Sequence, residues 1–407
     1  MWRQECKALW VLAFPLVAVQ AGDQLKSLVD TAVMGRLGEQ ELAGVGLGNA
    51  FFFLIQLLGV GALMGFDPLI AQALGHHNHA PETRQRAHVL LCQSLWLALG
   101  LGLVLAIPVL TTPLMFEPGG IPPGVAREAH LYMSIRAVGL VPTLLFFSQR
   151  GFFQALEHTR PLVMAMVLSN IINITATILL AFGGAWLPEW MGPLRHIPAF
   201  GVAGSAWATV LSTLIQATLL ALNLPRAPHP TRGWWYPIWS ELRLGLKVGI
   251  PVGLQYGAEV GVFALVGFLA GRLGAVELAA HQVALTLAAM TFTITMGISA
   301  AGSVRVGRAI GESDTVRARV AGLVAIGSGT AFMGLGALVF LAFPSTLARL
   351  LTHEAHVIAV AAPLLGVAAV FQLSDGIQAV GAGVLRGAGD TRFTFVANVV
   401  GHYAVGL

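Results

Sequence analysis

Apolar runs of spanning length recur along the chain at residues 8–34, 42–68, 88–112, 131–156, 161–183, 200–223, 244–270, 278–303, 320–345 and 357–385, each bounded by short polar segments. A helix needs about 20 apolar residues to cross a bilayer, so the pattern predicts ten transmembrane helices and an all-α polytopic membrane fold. An eleventh run begins near Phe393 and reaches Leu407 after about fifteen residues, so the chain is expected to stop inside a helix. The most polar connector, LPRAPHPTRGWWYPIWSELR, carries Trp234, Trp235 and Trp239. Tryptophans of that kind favour the headgroup layer, which predicts a link lying along the membrane surface.

That link divides a repeat. From Pro15 and from Pro251 onward the two halves align without a gap at an offset of 236 residues. Gly35-Arg36-Leu37-Gly38 falls on Gly271-Arg272-Leu273-Gly274, and Glu41-Leu42-Ala43 on Glu277-Leu278-Ala279. Further along the offset shifts, and Thr159-Arg160 falls on Thr391-Arg392. Six helices separate the copies, an even number, so both halves enter from the same side and are expected to form two parallel-related six-helix bundles. The expected division is an N-terminal six-helix lobe over 1–224, a cytoplasmic linker over 225–243, and a C-terminal lobe over 244–407 truncated within its fifth helix. Duplication around a midplane site is the architecture of a secondary transporter, with a cleft between the halves exposed alternately to each side. Pro15 and Pro251 are its candidate bending points.

Composition narrows the class. Of 407 residues 56% are hydrophobic and 10% charged, and mean hydropathy is +0.77, too little charged surface for a soluble molecule of this size. The net charge of +4 does not indicate nucleic acid, because the basic residues are scattered singly and no basic stripe with interleaved aromatics occurs. Cys6 and Cys92 are the two cysteines and lie far apart, which supports neither a disulfide framework nor a Cys-ligated metal site. His76, His77 and His79 cluster in a loop without an accompanying carboxylate geometry, so no metal centre is expected. With the N-terminus inside, sixteen of the 23 basic residues fall on the cytoplasmic side and six outside, Arg136 among them, with Lys26 left within a span. The first helix, which carries charge and no small-residue cleavage site, is read as retained.

Acids at membrane depth are expensive and mark function. Glu259 lies eight residues after Pro251, and the repeat places Asp23 at the equivalent spot. Asp375 sits in the tenth span, within FQLSDGIQ. Neither Glu259 nor Asp375 has a basic neighbour within one helical turn, so both are candidates to bind and release a proton or to ligate Na⁺. The alternative is a hydrogen bond that merely locks helices together. Asp23, Lys26 and Asp30 share one face of the first span, where Lys26 can pair with either acid and favour permanent ionisation. Asn170, Asn173 and Thr177 repeat this spacing on the fifth span and are read as lining a polar cavity or as interhelical hydrogen bonders. Gln255 and Gln282 are further candidates for the substrate cavity, and Phe263, Phe292 and Phe371 are its expected apolar lining.

Several stretches together resemble the multidrug and toxic compound extrusion (MATE) family, most closely its NorM-like branch. They are Val29-Asp30-Thr31 leading to Met34-Gly35, Ala71-Gln72-Ala73-Leu74-Gly75, Pro251 with Glu259, Ala279-Ala280-His281-Gln282-Val283-Ala284-Leu285, and Leu385-Arg386-Gly387-Ala388-Gly389-Asp390-Thr391. The resemblance implies an antiporter that expels organic, mostly cationic, amphipathic compounds in exchange for H⁺ or Na⁺, with twelve helices and no cofactor beyond the coupling ion. By the same likeness Glu259 and Asp375 match the family's C-terminal cation-site acids, Asp30 its N-terminal acid, and Asn173 the first member of a fifth-helix polar pair. Thr177, where relatives often place Asn or Asp, and Lys26 depart from the pattern. The expected setting is a bacterial inner membrane, multi-pass, with the N-terminus cytoplasmic, acting as a monomer in lipid on small organic cations or drugs. A flippase for lipid-linked saccharides and a non-transport scaffold stay open as alternatives. An enzyme is not expected, since neither H-E-x-x-H nor G-x-S-x-G occurs.

Overall fold

The computed structural model describes residues 1–76, 81–185, 187–227 and 235–405. His77, His79 and Trp234 lie outside these residues, whereas His76 is exposed just after the third helix. The described residues form helices and no strands. In chain order the helices are α1 (Trp2–Leu37), α2 (Glu39–Leu63), α3 (Phe66–Gly75), α4 (Pro81–Thr111), α5 (Pro123–Ala155), α6 (Arg160–Phe182), α7 (Gly201–Leu222), α8 (Trp239–Leu273), α9 (Ala275–Gly311), α10 (Thr315–Ala342), α11 (Pro344–Arg349), α12 (Ala355–Ala388) and α13 (Thr391–Val399), followed by a π-helical turn over Val400–Val405. Ten helical spans are long and apolar enough to cross a membrane, one for each predicted run, and the chain is a multi-pass membrane protein.

The second run differs from its prediction in a physically simple way. It was expected to end at 68, but it breaks at Met64-Gly65 and continues to Gly75. Pro68 has no N–H to donate to the carbonyl of Met64, so the ladder opens there and Pro68 sits instead in the first turn of α3. Helices α1 and α8 by contrast run through Pro15 and Pro251 without interruption.

Two compact units are present. The first comprises Met1–Gln20, Asp67–Thr83 and Leu254–Leu407, and the second Ala21–Phe66 and Arg84–Gly253. In the second unit α5 packs against α2 and α7, and α6 against α7, around Met34, Phe52, Met133, Leu140 and Leu144. In the first unit α12 packs against α9 and α10 around Leu287, Phe340, Leu365 and Ala369. The opening halves of α1 and α8 therefore each belong to the unit built mainly from the other half of the chain. The repeat is visible in matched contacts. A Cβ on Gly61 would strike the Gly253 backbone in the second unit, and a Cβ on Gly297 would strike Val17 in the first; Gly61 and Gly297, and likewise Val17 and Gly253, are related by the 236-residue offset. Small residues let membrane helices approach this closely, and dispersion between their backbones holds them.

Turn chemistry repeats as well. Gly389, with φ of 87°, ends α12: its N–H bonds Arg386 O at 2.8 Å and the next N–H, of Asp390, bonds Leu385 O at 2.9 Å. Those are the two bonds of a Schellman ending, and Asp390 then caps α13 by accepting from Phe393 N at 3.2 Å. The stretch Gly389-Asp390-Thr391 is thus a helix stop followed at once by a helix start. The equivalent turn between α5 and α6 closes in the same way, with Glu157 at φ 57° in the glycine position.

Candidate functional site

In the first unit, α8 delivers Glu259, α12 delivers Asp375, and α13 with its following turn delivers Asn398 and His402. Glu259 and Asp375 are 8% and 6% exposed, and the Glu259 carboxylate is close enough to act electrostatically on Asp375. No ion pair within 4.0 Å among the described residues involves either acid. Arg386, about three turns beyond Asp375 on α12, donates to the Tyr256 hydroxyl at 3.2 Å. The Asn398 amide lies against Glu259 close enough to act on it, yet outside good hydrogen-bond geometry, and both its polar atoms are buried and unpaired. Gln372, one turn before Asp375 and fully buried, likewise has an unpaired amide. Buried amides and acids without partners are costly, so this region is rich in unmet polar capacity.

Aromatic rings border it. Phe263 and Phe371 meet edge to face at 6.2 Å, and the His402 ring meets Phe263 at 6.4 Å. Gln255 is buried one turn before Glu259, Phe292 is half-buried on α9, and Gln282 is exposed. The structure thus places Glu259 and Asp375, both buried, with the Phe263–Phe371 pair on the same two helices.

The second unit organises its polar residues differently. Asp30, 9% exposed, accepts from Thr209 at 3.0 Å, Thr177 at 3.2 Å and Ser205 at 3.5 Å. Asn173 Nδ2 donates to the Thr209 hydroxyl at 3.3 Å. Of the two acids that share its helix face, Lys26 forms an ion pair with Asp23 and not with Asp30. Its ammonium donates to Gln216 Oε1 at 3.0 Å and lies 3.8 Å from Asp23. Three hydroxyls, not the Lys26 ammonium, hydrogen-bond the Asp30 carboxylate, because α6 and α7 bring them within reach while Lys26 points to α7 a turn and more away. Asn170 turns its amide to the Met166 carbonyl on its own helix at 2.9 Å. Arg136, which falls within the run 131–156 and counts by sequence on the outer side, is inside α5, stacked 4.4 Å over Phe52 and close enough to act on Asp30.

Sequence reading missed Ser205, Thr209 and Gln216, although with Ser212 they form a polar stripe at helical spacing along α7, all buried. It also missed Asn398 and His402, which are four apart on the last run and therefore share a face.

Comparison with known proteins follows the same two halves. The family model described as MatE matches residues 15–179 and 251–407. A probable multidrug resistance protein NorM from Rhizobium meliloti is 30% identical over 422 residues, spanning all of this chain and 86% of that protein. Its counterpart from Deinococcus radiodurans is 34% identical over 417 residues, spanning 99% of this chain and 87% of the relative. Among solved structures, a MATE transporter in the straight conformation superposes with a TM-score of 0.86 at 21% identity, over 98% of this chain and 86% of that one. A eukaryotic MATE transporter gives 0.84 at 19% identity, over 99% and 87%. At such identities the structural likeness speaks for the fold, while the full-length sequence relatives and the two-part match carry the assignment: the chain belongs to the MatE family.

Proposed function

We propose that this chain expels amphipathic organic cations across a bacterial inner membrane in exchange for H⁺ or Na⁺, as a monomer with its N-terminus in the cytoplasm. The observation that carries this reading is the pair Glu259 and Asp375, buried, without a basic partner, beside the edge-to-face pair Phe263 and Phe371. Ionised, the acids attract a positive amphiphile whose rings settle against the phenylalanines. Proton or Na⁺ entry neutralises them and weakens that hold. Exchange needs only that the two ligands bind the inward and outward states unequally. The relatives' description as multidrug resistance proteins supports the substrate class.

Ion coupling is assigned to the acids of the first unit, because Asp30 is already saturated by hydroxyl donors. The test is transport of ethidium, a fluorescent amphipathic cation, in liposomes with imposed pH or Na⁺ gradients. One gradient is expected to drive exchange, and Glu259→Gln and Asp375→Asn are each expected to slow it about tenfold or more, equivalent to about 1.4 kcal/mol of lost coupling. Asp30→Asn is expected to keep the ion dependence. Unchanged gradient dependence in both Glu259→Gln and Asp375→Asn overturns the assignment.

A further inference from the structure

The α4–α5 end of the second unit holds a cavity that the exchange reading does not use. A 3₁₀ turn over Thr112–Met115, the loop after it and the opening turns of α5 border about 590 Å³ of space, walled by Pro113, Pro118 and Pro123 and carrying Glu117, Arg127 and His130. The wall is preformed. Proline fixes φ at three of its positions. Phe116 N bonds Pro113 O at 3.2 Å, Gly119 N bonds Met115 O at 2.9 Å and Ile121 N bonds Phe116 O at 3.0 Å. The buried Phe116 ring pins the turn to α2, 5.2 Å from the ring of Phe51. A cavity already held in shape costs little to order around a guest.

The side chains of Glu117, Arg127 and His130 form no hydrogen bond or ion pair among the described residues. Arg127 and His130 are three apart on α5 and share a face, while Glu117 comes from the turn, so donors and a carboxylate line one space from two elements. The apolar surroundings indicate what kind of molecule arrives. Leu103, Ile107 and Leu110 share one face of α4, and they and Leu114, which also lines the cavity, are exposed. On a membrane-spanning helix such a face is turned to lipid, and it leads to the cavity.

We propose that this cavity seats the headgroup of a zwitterionic phospholipid, a phosphoethanolamine. Its phosphate accepts from the Arg127 guanidinium and the His130 ring, its ammonium donates to the Glu117 carboxylate, and its acyl chains lie along Leu114, Leu110 and Ile107. Arginine matches phosphate oxygens with its fork of N–H groups, and hydrogen bonds with a charged partner are about twice as strong as neutral ones. An anionic headgroup lacks the cation that complements Glu117 and is repelled by it, so charge complementarity selects the zwitterion. The site is independent of Glu259 and Asp375, which belong to the first unit.

The test uses the full chain in detergent micelles, titrated with phosphatidylethanolamine or phosphatidylglycerol carrying a fluorophore on an acyl chain, with free phosphoethanolamine as competitor. The ethanolamine lipid is expected to bind about tenfold tighter than the glycerol lipid, and Arg127→Gln to weaken it about tenfold, the scale of one hydrogen bond to a charged group. Arg127→Lys is expected to restore most of that loss. Glu117→Gln is expected to weaken the ethanolamine lipid and to leave the glycerol lipid bound as tightly as before or tighter. These side chains are exposed and unpaired, so the variants are expected to melt as the parent does. Equal affinity of the parent for the two lipids, or ethanolamine-lipid affinity unchanged in either Arg127→Gln or Glu117→Gln, overturns the proposal. Displacement of the lipid by an equal concentration of free phosphoethanolamine also overturns it, since the soluble headgroup would then suffice.

Discussion

Asp30 and Glu259 are both acids within spans, yet their surroundings differ in kind. Asp30 is met by three hydroxyls from α6 and α7, and the Thr209 hydroxyl also receives the Asn173 amide. Hydrogen bonds to a charged group contribute about 1.5–3 kcal/mol each, so Thr209→Val is expected to lower stability by about 2 kcal/mol, seen as an earlier melt in detergent. An unshifted melt would mean that Asp30 does not depend on this donor. Glu259 has no comparable set of donors: the Asn398 amide lies against it without a hydrogen bond of good geometry. Backbone strain is legible at the same scale. Ser313 holds φ of 59° where its N–H bonds Ile310 O at 2.9 Å, a position that glycine fills without steric cost. Ser313→Gly is expected to raise stability by about 0.5–1 kcal/mol, and thermal unfolding of the variant measures it.

At the scale of elements, the opening turns of α1 and α8 carry acids at repeat-equivalent positions, Glu5 and Glu241. Glu5 is buried and gripped by Arg305 at 2.7 and 2.8 Å and by Arg317 Nε at 2.9 Å, while Arg317 also reaches Glu312. Glu241 takes Arg86 at 2.8 and 2.9 Å, but that arginine side chain is 47% exposed. The geometry is matched; the solvation is not. Removing one partner of a buried pair leaves an uncompensated charge at about 3–5 kcal/mol, whereas an exposed pair contributes about 1 kcal/mol or less. Glu5→Gln is therefore expected to destabilise the protein several times more than Arg86→Ala in parallel melts. Equal losses would contradict the burial argument. Helix crossings obey similar logic. Gly61→Leu is expected to prevent accumulation of folded protein, because the added atoms meet the Gly253 backbone, while Gly100→Ala, with open space at its Cβ, is expected to accumulate as the parent does.

For the whole molecule, the two compact units do not follow the chain's own halves. Residues 1–20 group with the unit that contains α9, α10 and α12, and residues up to Gly253, the first half of α8 included, group with the unit that contains α2 and α5. A chain cleaved between residues 227 and 235 is thus expected to yield two pieces that remain together through detergent extraction and gel filtration, since each holds a segment belonging to the other's core. Separation into two independently stable fragments would refute this.

Much of this was legible in sequence, for physical reasons that can be named. The ten spans were visible because lipid demands about 20 apolar residues per helix wherever the chain crosses. The duplication was visible because glycines at close helix crossings, such as Gly61 with Gly297, tolerate little else and so recur in both halves. Glu259 and Asp375 stood out because a charge in an apolar run is conspicuous. Partners were not legible. Lys26 and Asp30 share a helix face, but which of them receives the hydroxyls of α6 and α7 depends on how those helices are rotated and how deep they sit. Arg136 falls within the run 131–156 and counts on the outer side, but that it stacks over Phe52 could not be read from sequence, and neither could the His402 ring lying 6.4 Å from that of Phe263. Sequence by itself determined the spans, the repeat and the acids, because hydropathy and steric exclusion act locally along a chain; the tertiary structure alone decided which acid is met by a set of hydroxyl donors and which is buried without one, because hydrogen bonds and charges are matched only across helices.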